Sequence, residues 1–236
     1  MMLALQTKNG LRHSVRLRTK MQLAEPRLGA VSRAFWNHPR LPEMLGDFLF
    51  MAYCICRSTV PLLKTAEHCA RRKANVDPID AQLVGYCSRH AQEEMHHDKW
   101  LLEDMVAIGM NRPESLNRIP SPTMASLSGS QYYWMESVHP GALLGYVAVL
   151  EGYPPSAEQI QKIRIKHDLG PQAFRTMLKH ASLDPHHRED LNQQLDELPL
   201  TEQVSALVTV SALHTMEKIS CGFEEILDSY GCRRNK

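Results

Sequence analysis

The chain has 236 residues, of which 43% are apolar and 22% charged, enough for one sizeable core. Lys and Arg number 27 against 26 Asp and Glu, a formal charge of +1 that argues against an electrostatic nucleic-acid binder or a polybasic membrane-surface protein. There is no run of 18 apolar residues to span a bilayer, and the basic start from Met1 to Lys20 lacks the apolar core of a secretory signal.

Strand signals are weak and helical periodicity recurs, so the expected fold is an all-α bundle of about seven helices. A single domain over residues 25–230 is expected, after a flexible extension at 1–24 and before a short tail at 231–236. Leu28, Val31 and Phe35 mark a first helix over 27–38, which His38-Pro39 ends. A long apolar helix follows over 43–73, with a kink expected at Pro61. Pro78 opens a helix running to about Ile108, where Gly109 stops it. The Pro- and Ser-rich stretch 113–130 reads as a loop. Helices are predicted from Gln131 to Gly152, interrupted at His139-Pro140-Gly141 and ended by Pro154-Pro155, then over 156–168 and 172–195. The last helix runs from Thr201 to Tyr230, and its apolar face serves equally for bundle packing or a homodimer contact.

Six cysteines (Cys54, Cys56, Cys69, Cys87, Cys221 and Cys232) form no Cys-x-x-Cys pair and read as free cytoplasmic thiols. The 12 histidines are the unusual count, and several lie beside acids. Glu94 and His97 are three apart, so on a helix they share a face, with His90 two turns back on it. Glu-x-x-His is the spacing by which helical bundles hold two iron or manganese ions, although a polar surface face would give the same text. His180, Asp184 and His187 repeat the geometry at offsets of four and three, with Pro185 expected to bend or restart the helix. Glu151 closes the apolar run from Gly145, where a buried acid needs a partner: a metal, an Arg or a Lys. Together these offer three carboxylates and three imidazoles. Oxygen and nitrogen donors without thiolate favour iron or manganese over structural zinc.

These motifs resemble the haem-oxygenase-like non-haem di-iron oxidases and oxygenases, the iron-containing redox enzymes. The matching text is His90-x-x-Glu93-Glu94-x-x-His97-Asp98, Leu101-Leu102-x-Asp104-Met105-x-x-x-Gly109, Pro140-x-Ala142-Leu143-Leu144-Gly145-Tyr146 with Leu150-Glu151, and His180-x-x-x-Asp184-x-x-His187. Phe35-Trp36-x-His38-Pro39 is similar to the family's opening helices, and the resemblance covers residues 25–230. It implies a single-domain seven-helix bundle with Glu94, His97, Glu151, His180, Asp184 and His187 as ligands of two Fe(II) ions, manganese being the alternative metal. His90, standing where some members carry an acid, and Glu67 on the long second helix are further candidates. Dioxygen would be the co-substrate and a small organic molecule the substrate. The reactions implied are N-oxygenation of an amine or amino acid, or oxidative C–C cleavage or decarboxylation of an amino or fatty acid, in specialised biosynthesis. No nucleic-acid or membrane partner is expected.

Other functions share the fold. A metal-free thiaminase-type enzyme would need a Cys nucleophile, for which Cys54, Cys56 and Cys69 are available. A cofactorless oxidase of the quinone-cofactor type, a haem-degrading enzyme with His13 or His38 as proximal ligand, and a non-catalytic binding bundle are the remaining readings.

Overall fold

A computed structural model describes residues 6–7, 10–152 and 155–231 of the chain. Cys232, Pro154, the first residues of the expected extension and nearly all of the expected tail lie outside the described residues. After a two-residue antiparallel pair, β1 (Gln6–Thr7) with β2 (Gly10–Leu11), the chain is helical: α1 (His13–Trp36), α2 (Leu41–Arg71), α3 (Pro78–Glu93), α4 (His97–Ala107), α5 (Arg112–Asn117), α6 (Pro122–Ser137), α7 (Leu143–Leu150), α8 (Ala157–Lys166), α9 (Arg175–Glu197) and α10 (Glu202–Ser229). Short 3-10 turns, Pro140–Ala142 and Pro171–Phe174, lead into α7 and α9. The fold is the all-α bundle predicted, more finely divided than the seven helices expected.

The long helix α2 is the axis of the bundle and packs against α3, α4, α6, α7 and α10. Its buried residues, among them Leu41, Met44, Leu45, Phe48, Leu49, Leu62, Leu63, Ala66 and Ala70, recur every three or four positions, the stripe a core-facing helix needs. By length and composition α2 would reach across a membrane, but 56% of its most apolar window is buried inside the fold. It runs unbroken through Pro61, with no end at the expected kink. On one side Phe48 joins Phe35, Trp36 and Phe223 in an aromatic cluster, with ring centroids 4.7–5.9 Å apart.

Four predicted boundaries differ. Helix α1 begins at His13, not at 27, so residues 13–24 are helix packed on the bundle. Arg16 pairs with Glu202, and the Ser14 amide and hydroxyl donate to Asp196. These partners are 182 and more residues away in sequence, which local periodicity does not register. The expected loop over 113–130 holds α5 and most of α6. Pro122 is the first residue of α6, and the Ser121 hydroxyl accepts from the Met124 amide, so Ser-Pro here starts a helix. The helix expected over 78–108 is two helices, broken at residues 94–96 by His96 at φ 76°. Pro185 neither ends nor restarts α9.

Helix α7 is buried from Leu143 to Val149 and lies close on α10 at Gly145. A Cβ there would overlap the Val208 carbonyl oxygen and stand 2.7 Å from the Ala212 amide nitrogen. Gly145→Ala is therefore expected to push α7 off α10 and destabilise the fold by about 1–3 kcal/mol, read as a lowered Tm in thermal unfolding.

Candidate metal centre

Three helix ends and one helix face converge beside α2. His90 lies in the last turn of α3, and Glu94 caps that helix, its amide donating to the His90 carbonyl. The left-handed His96 then turns the chain so that His97 opens α4 with its side chain buried. Glu151 caps α7, whose apolar sequence carries it into the interior. From α9, His180, Asp184 and His187 face inward at helical offsets of four and three.

The contacts are close. His90 Nε2 lies 2.8 Å from Glu151 Oε1, and its Nδ1 lies 3.3 Å from Glu93. Glu94 Oε2 is 3.0 Å from His97 Nδ1, and Asp184 Oδ1 is 3.0 Å from His180 Nδ1. His187 Nδ1 is 3.7 Å from one oxygen each of Glu94 and Glu151. The rings of His97 and His180 meet edge to face at 4.9 Å, as do those of His90 and His187 at 5.1 Å. Trp100 stacks on His97 at 4.1 Å.

Burial excludes a solvated polar face: His90, Glu94, His97, Glu151, Asp184 and His187 are 3–8% exposed. Among the described residues, the only ion-pair partners of Glu93, Glu94, Glu151 and Asp184 are these histidines, with no Lys or Arg. Glu151 Oε2, His180 Nε2 and His187 Nδ1 are buried without a hydrogen-bond partner. Ligand atoms of His90, Glu151 and His187 lie within 4.8 Å of one another. Buried, orphaned oxygen and imidazole donors without thiolate fit an iron or manganese ion.

The titration behaviour follows from the same packing. Burial raises Glu151 above the usual carboxylate range, and its bond to His90 only partly opposes this. For Glu94, burial also pulls upward, but the His97 hydrogen bond and the surrounding imidazoles bring it below that range. Burial disfavours the His90 imidazolium, yet the hydrogen bond and charge of Glu151 outweigh burial and lift it to about 9. His180 is likewise raised, burial being outweighed by Asp184.

A cavity of about 220 Å³ opens onto the cluster. Its lining includes His90, Glu94, Glu151, His180 and Asp184 together with Phe48, Ala52, Ile55, Cys56 and Thr59 of α2.

The structure thus brings together Glu94, His97, Glu151, His180, Asp184 and His187, and His90 with them. It does not bring Glu67, whose carboxylate is held 3.0 Å from Arg71 Nε one turn on. Sequence reasoning missed Glu93 as a member of the cluster. It reaches His90 Nδ1 at 3.3 Å and lies 3.9 Å from His187 Nε2. Its spacing from His90 equals that of Glu94 from His97, a signal that was present. It missed a second group as well, Asp77, Asp80 and His139, whose ligand atoms also lie within 4.8 Å. There the Gly141 amide donates to His139 Nδ1 at 3.0 Å, and His139 Nε2 lies 3.5 Å from one oxygen of each acid. The group lies where the start of α3 meets the turn before α7, and His139 Nε2 and both Asp80 oxygens are buried without a hydrogen-bond partner.

The profile of the iron-containing redox enzyme family matches residues 84–217. The chain belongs to that family. The matched segment contains every residue of the cluster, and Glu67 precedes it. No curated protein matches the chain. Among solved structures it is similar to a domain of unknown function with a haem oxygenase-like fold from Shewanella denitrificans, at 19% identity over 92% of this chain and 90% of that one, with a TM-score of 0.73. It is also similar to a TenA homologue from Pseudomonas syringae, at 13% identity over 90% and 91% of the two chains, with a TM-score of 0.70. At such identities the likeness establishes the haem-oxygenase-like fold.

Two outcomes are expected. Asp104 of α4 is fully buried, accepts from the Thr176 amide at 2.9 Å and lies 3.4 Å from Arg175, so it holds the start of α9 against the helix that His97 opens. Asp104→Leu should weaken Fe(II) binding about tenfold or more in an anaerobic titration, with Asp104→Asn nearer the parent. In the metal-free protein, His90 has a folded pKa of about 9, above its unfolded value of about 6.5. Its contribution to stability is complete below about pH 6.5 and is lost as pH rises through about 9. Urea unfolding across that window should show the loss, and His90→Gln should flatten it.

Proposed function

We propose that the chain is a non-haem di-iron oxidase or oxygenase that uses dioxygen to oxidise a small organic molecule, by N-oxygenation or by oxidative C–C cleavage. The observation that carries this reading is the buried cluster of acids and imidazoles with no Lys or Arg to balance it. Two ferrous ions bring four positive charges. Glu94, Glu151 and Asp184 cancel three, and Glu93 at the margin supplies the fourth. Glu94, His97, Glu151, His180, Asp184 and His187 are the proposed ligands, with His90 as a further donor and Glu93 orienting His90 through Nδ1. Manganese would satisfy the same donors. Bound ferrous ions would supply the electron transfer that dioxygen requires. The residues around them fix their positions and keep bulk water out.

Specific observations weaken the other readings. Cys56 lines the cavity, where a thiaminase-type nucleophile would have to lie. Burial, reinforced by Glu94, Asp184 and Asp98, pushes its thiol pKa far up, so it is neutral and a poor nucleophile. Cys54 and Cys69 do not line the cavity, and neither do His13 and His38, the residues a haem ligand would require.

The test is anaerobic Fe(II) loading followed by iron analysis and dioxygen-consumption assays against amines, amino acids and fatty acids. The expected result is two iron ions per chain and substrate-dependent dioxygen uptake. Ala variants of His97, Glu151 and His180 should lose both by 100-fold or more with helix content by circular dichroism nearly unchanged. Normal iron binding in two of these variants would overturn the ligand assignment.

A further inference from the structure

The group of Asp77, Asp80 and His139 stands at the start of α3, whereas His90 stands in its last turn. Asp77 caps the helix: its Oδ1 accepts from the Ile79 amide at 2.8 Å and from the Asp80 amide at 3.4 Å. Its Oδ2 is thereby turned toward His139, 3.5 Å from Nε2. Asp80 follows three residues on, where an acid can reach back to the amide of the capping residue. Here that amide is already taken, donating to the Lys73 carbonyl at 2.9 Å. Asp80 is fully buried, and neither of its oxygens has a hydrogen-bond partner. The helix dipole favours an acid in the first turn, but it does not satisfy the lone pairs of a carboxylate withdrawn from water. His139 Nε2 is buried and unpartnered as well. Among the described residues, His139 is the only ion-pair partner of either acid, and no Lys or Arg pairs with them.

The distances separate a hydrogen-bonded knot from a metal site. Nε2 lies 3.5 Å from Asp77 Oδ2 and 3.5 Å from Asp80 Oδ1, and the three ligand atoms lie within 4.8 Å of one another. A charge-assisted bond between imidazole and carboxylate is shorter, about 2.7–2.9 Å, as His90 shows with Glu151 at 2.8 Å. Donors that share a tetrahedral zinc ion at about 2.0–2.1 Å stand roughly 3.3–3.4 Å from each other. We infer that Asp77, Asp80 and His139 form a separate site for one divalent ion of the zinc class, which clamps the start of α3 to the turn before α7. The inference does not depend on the di-iron reading of the cluster. Two carboxylates cancel the charge of the ion, and one imidazole adds a nitrogen donor. The Asp77 side chain is 30% exposed beside the sealed Asp80, so the site has an entry from solvent and a place for a water as fourth ligand. The clamp fixes two elements that carry the cluster, since α3 bears His90 and α7 leads to Glu151. Binding at Nε2 also has a reporter. A neutral ring metallated there carries its proton on Nδ1, so the ion displaces the bond from the Gly141 amide.

The test is a zinc titration of the full chain after removal of bound metal by a chelator. Bound zinc is counted by metal analysis after gel filtration, and thermal unfolding is followed on the same samples. Asp77→Asn keeps the cap, because Asn serves equally there, and withdraws one charged ligand. Asp80→Asn withdraws the other and relieves the unpaired acid. Each variant should bind one zinc ion fewer than the parent, whatever number the cluster takes, with affinity at this site lowered about 100-fold or more. Zinc should raise Tm more in the parent than in either variant. In isotope-labelled protein the Gly141 amide resonance should move on zinc addition to the parent and stay in place in Asp77→Asn. Asp77→Asn alters a part-exposed residue and keeps the test open if Asp80→Asn does not fold. A parent that binds a single zinc ion, lost in the variants, supports this site with the cluster taking none. Equal zinc counts in parent and variants overturn the inference and leave a water-bridged cap. A Gly141 resonance unmoved by zinc places the ion elsewhere and overturns it equally.

Discussion

Three buried carboxylates and four imidazoles gathered inside a helical bundle, with Glu93 exposed at their margin, are the constraint to which the rest of the molecule answers. Each ionised acid taken out of water costs several kcal/mol unless something positive stands beside it. Elsewhere the chain pairs its acids with guanidinium or ammonium groups, as in Arg16–Glu202, Arg27–Glu224 and Arg175–Glu103. For the acids of the cluster, among the described residues, it uses only histidine. Imidazole differs from Arg in that its proton leaves readily, so the same nitrogen balances an acid as imidazolium or binds a divalent cation as a neutral donor. The rise of His90 to about 9 and the raised His180 describe the first state. An Arg in either position would be fixed in it.

Holding such a cluster requires rigid supports, and the bundle supplies them from outside the polar zone. Glu151 stands on a short apolar helix pressed onto α10 at Gly145, while Arg18 of α1 donates to the Ala148 carbonyl at 2.7 Å near its end. The start of α9 is held by Asp104, which carries no side-chain contact to the cluster yet joins the helix of His97 to that of His180 and His187. The Asp77–Asp80–His139 group does the same for the start of α3 and the turn before α7. One face of α2 lines the cavity with Phe48, Ala52, Ile55, Cys56 and Thr59. The described part of α2 contributes none of the clustered acids or imidazoles, whereas α4, α7 and α9 supply both cluster residues and apolar lining.

How much of this was legible in the sequence depends on whether the signal was local. The class of fold, the existence of α2, α9 and α10, and the acid–histidine pairs are statements about spacing within one helix, and spacing is written in the chain. The start of α1 at His13 was not legible, because its partners Asp196 and Glu202 come from the far end of the sequence. The start of α6 is local but ambiguous: Ser121-Pro122 has the composition of a loop and is a cap followed by a first-turn proline. Glu93 is hidden by its neighbour Glu94, which already supplies the acid of the Glu-x-x-His spacing. Glu67 was named from the resemblance, but the structure gives it to Arg71.

The pair Glu94 and His97 shows how a correct grouping can rest on a different backbone from the one assumed. Three positions apart on a continuous helix they would share a face. In the structure the helix ends at Glu93, His96 takes φ 76°, and His97 begins again. A non-glycine residue in the left-handed region costs about 1 kcal/mol or more and persists only where its surroundings hold it. Here they do: His97 is buried under Trp100 and bonded to Glu94, while His96 itself is exposed and contributes nothing to the core. The strain therefore sits in a residue whose side chain is free, and it allows the residues on both sides to turn inward at once. A straight helix would have continued the register of α3 and sent α4 along it. The break lets α4 leave in its own direction, toward α9 and the turn before it, and that is what brings Asp104 to the start of α9 and His97 against His180.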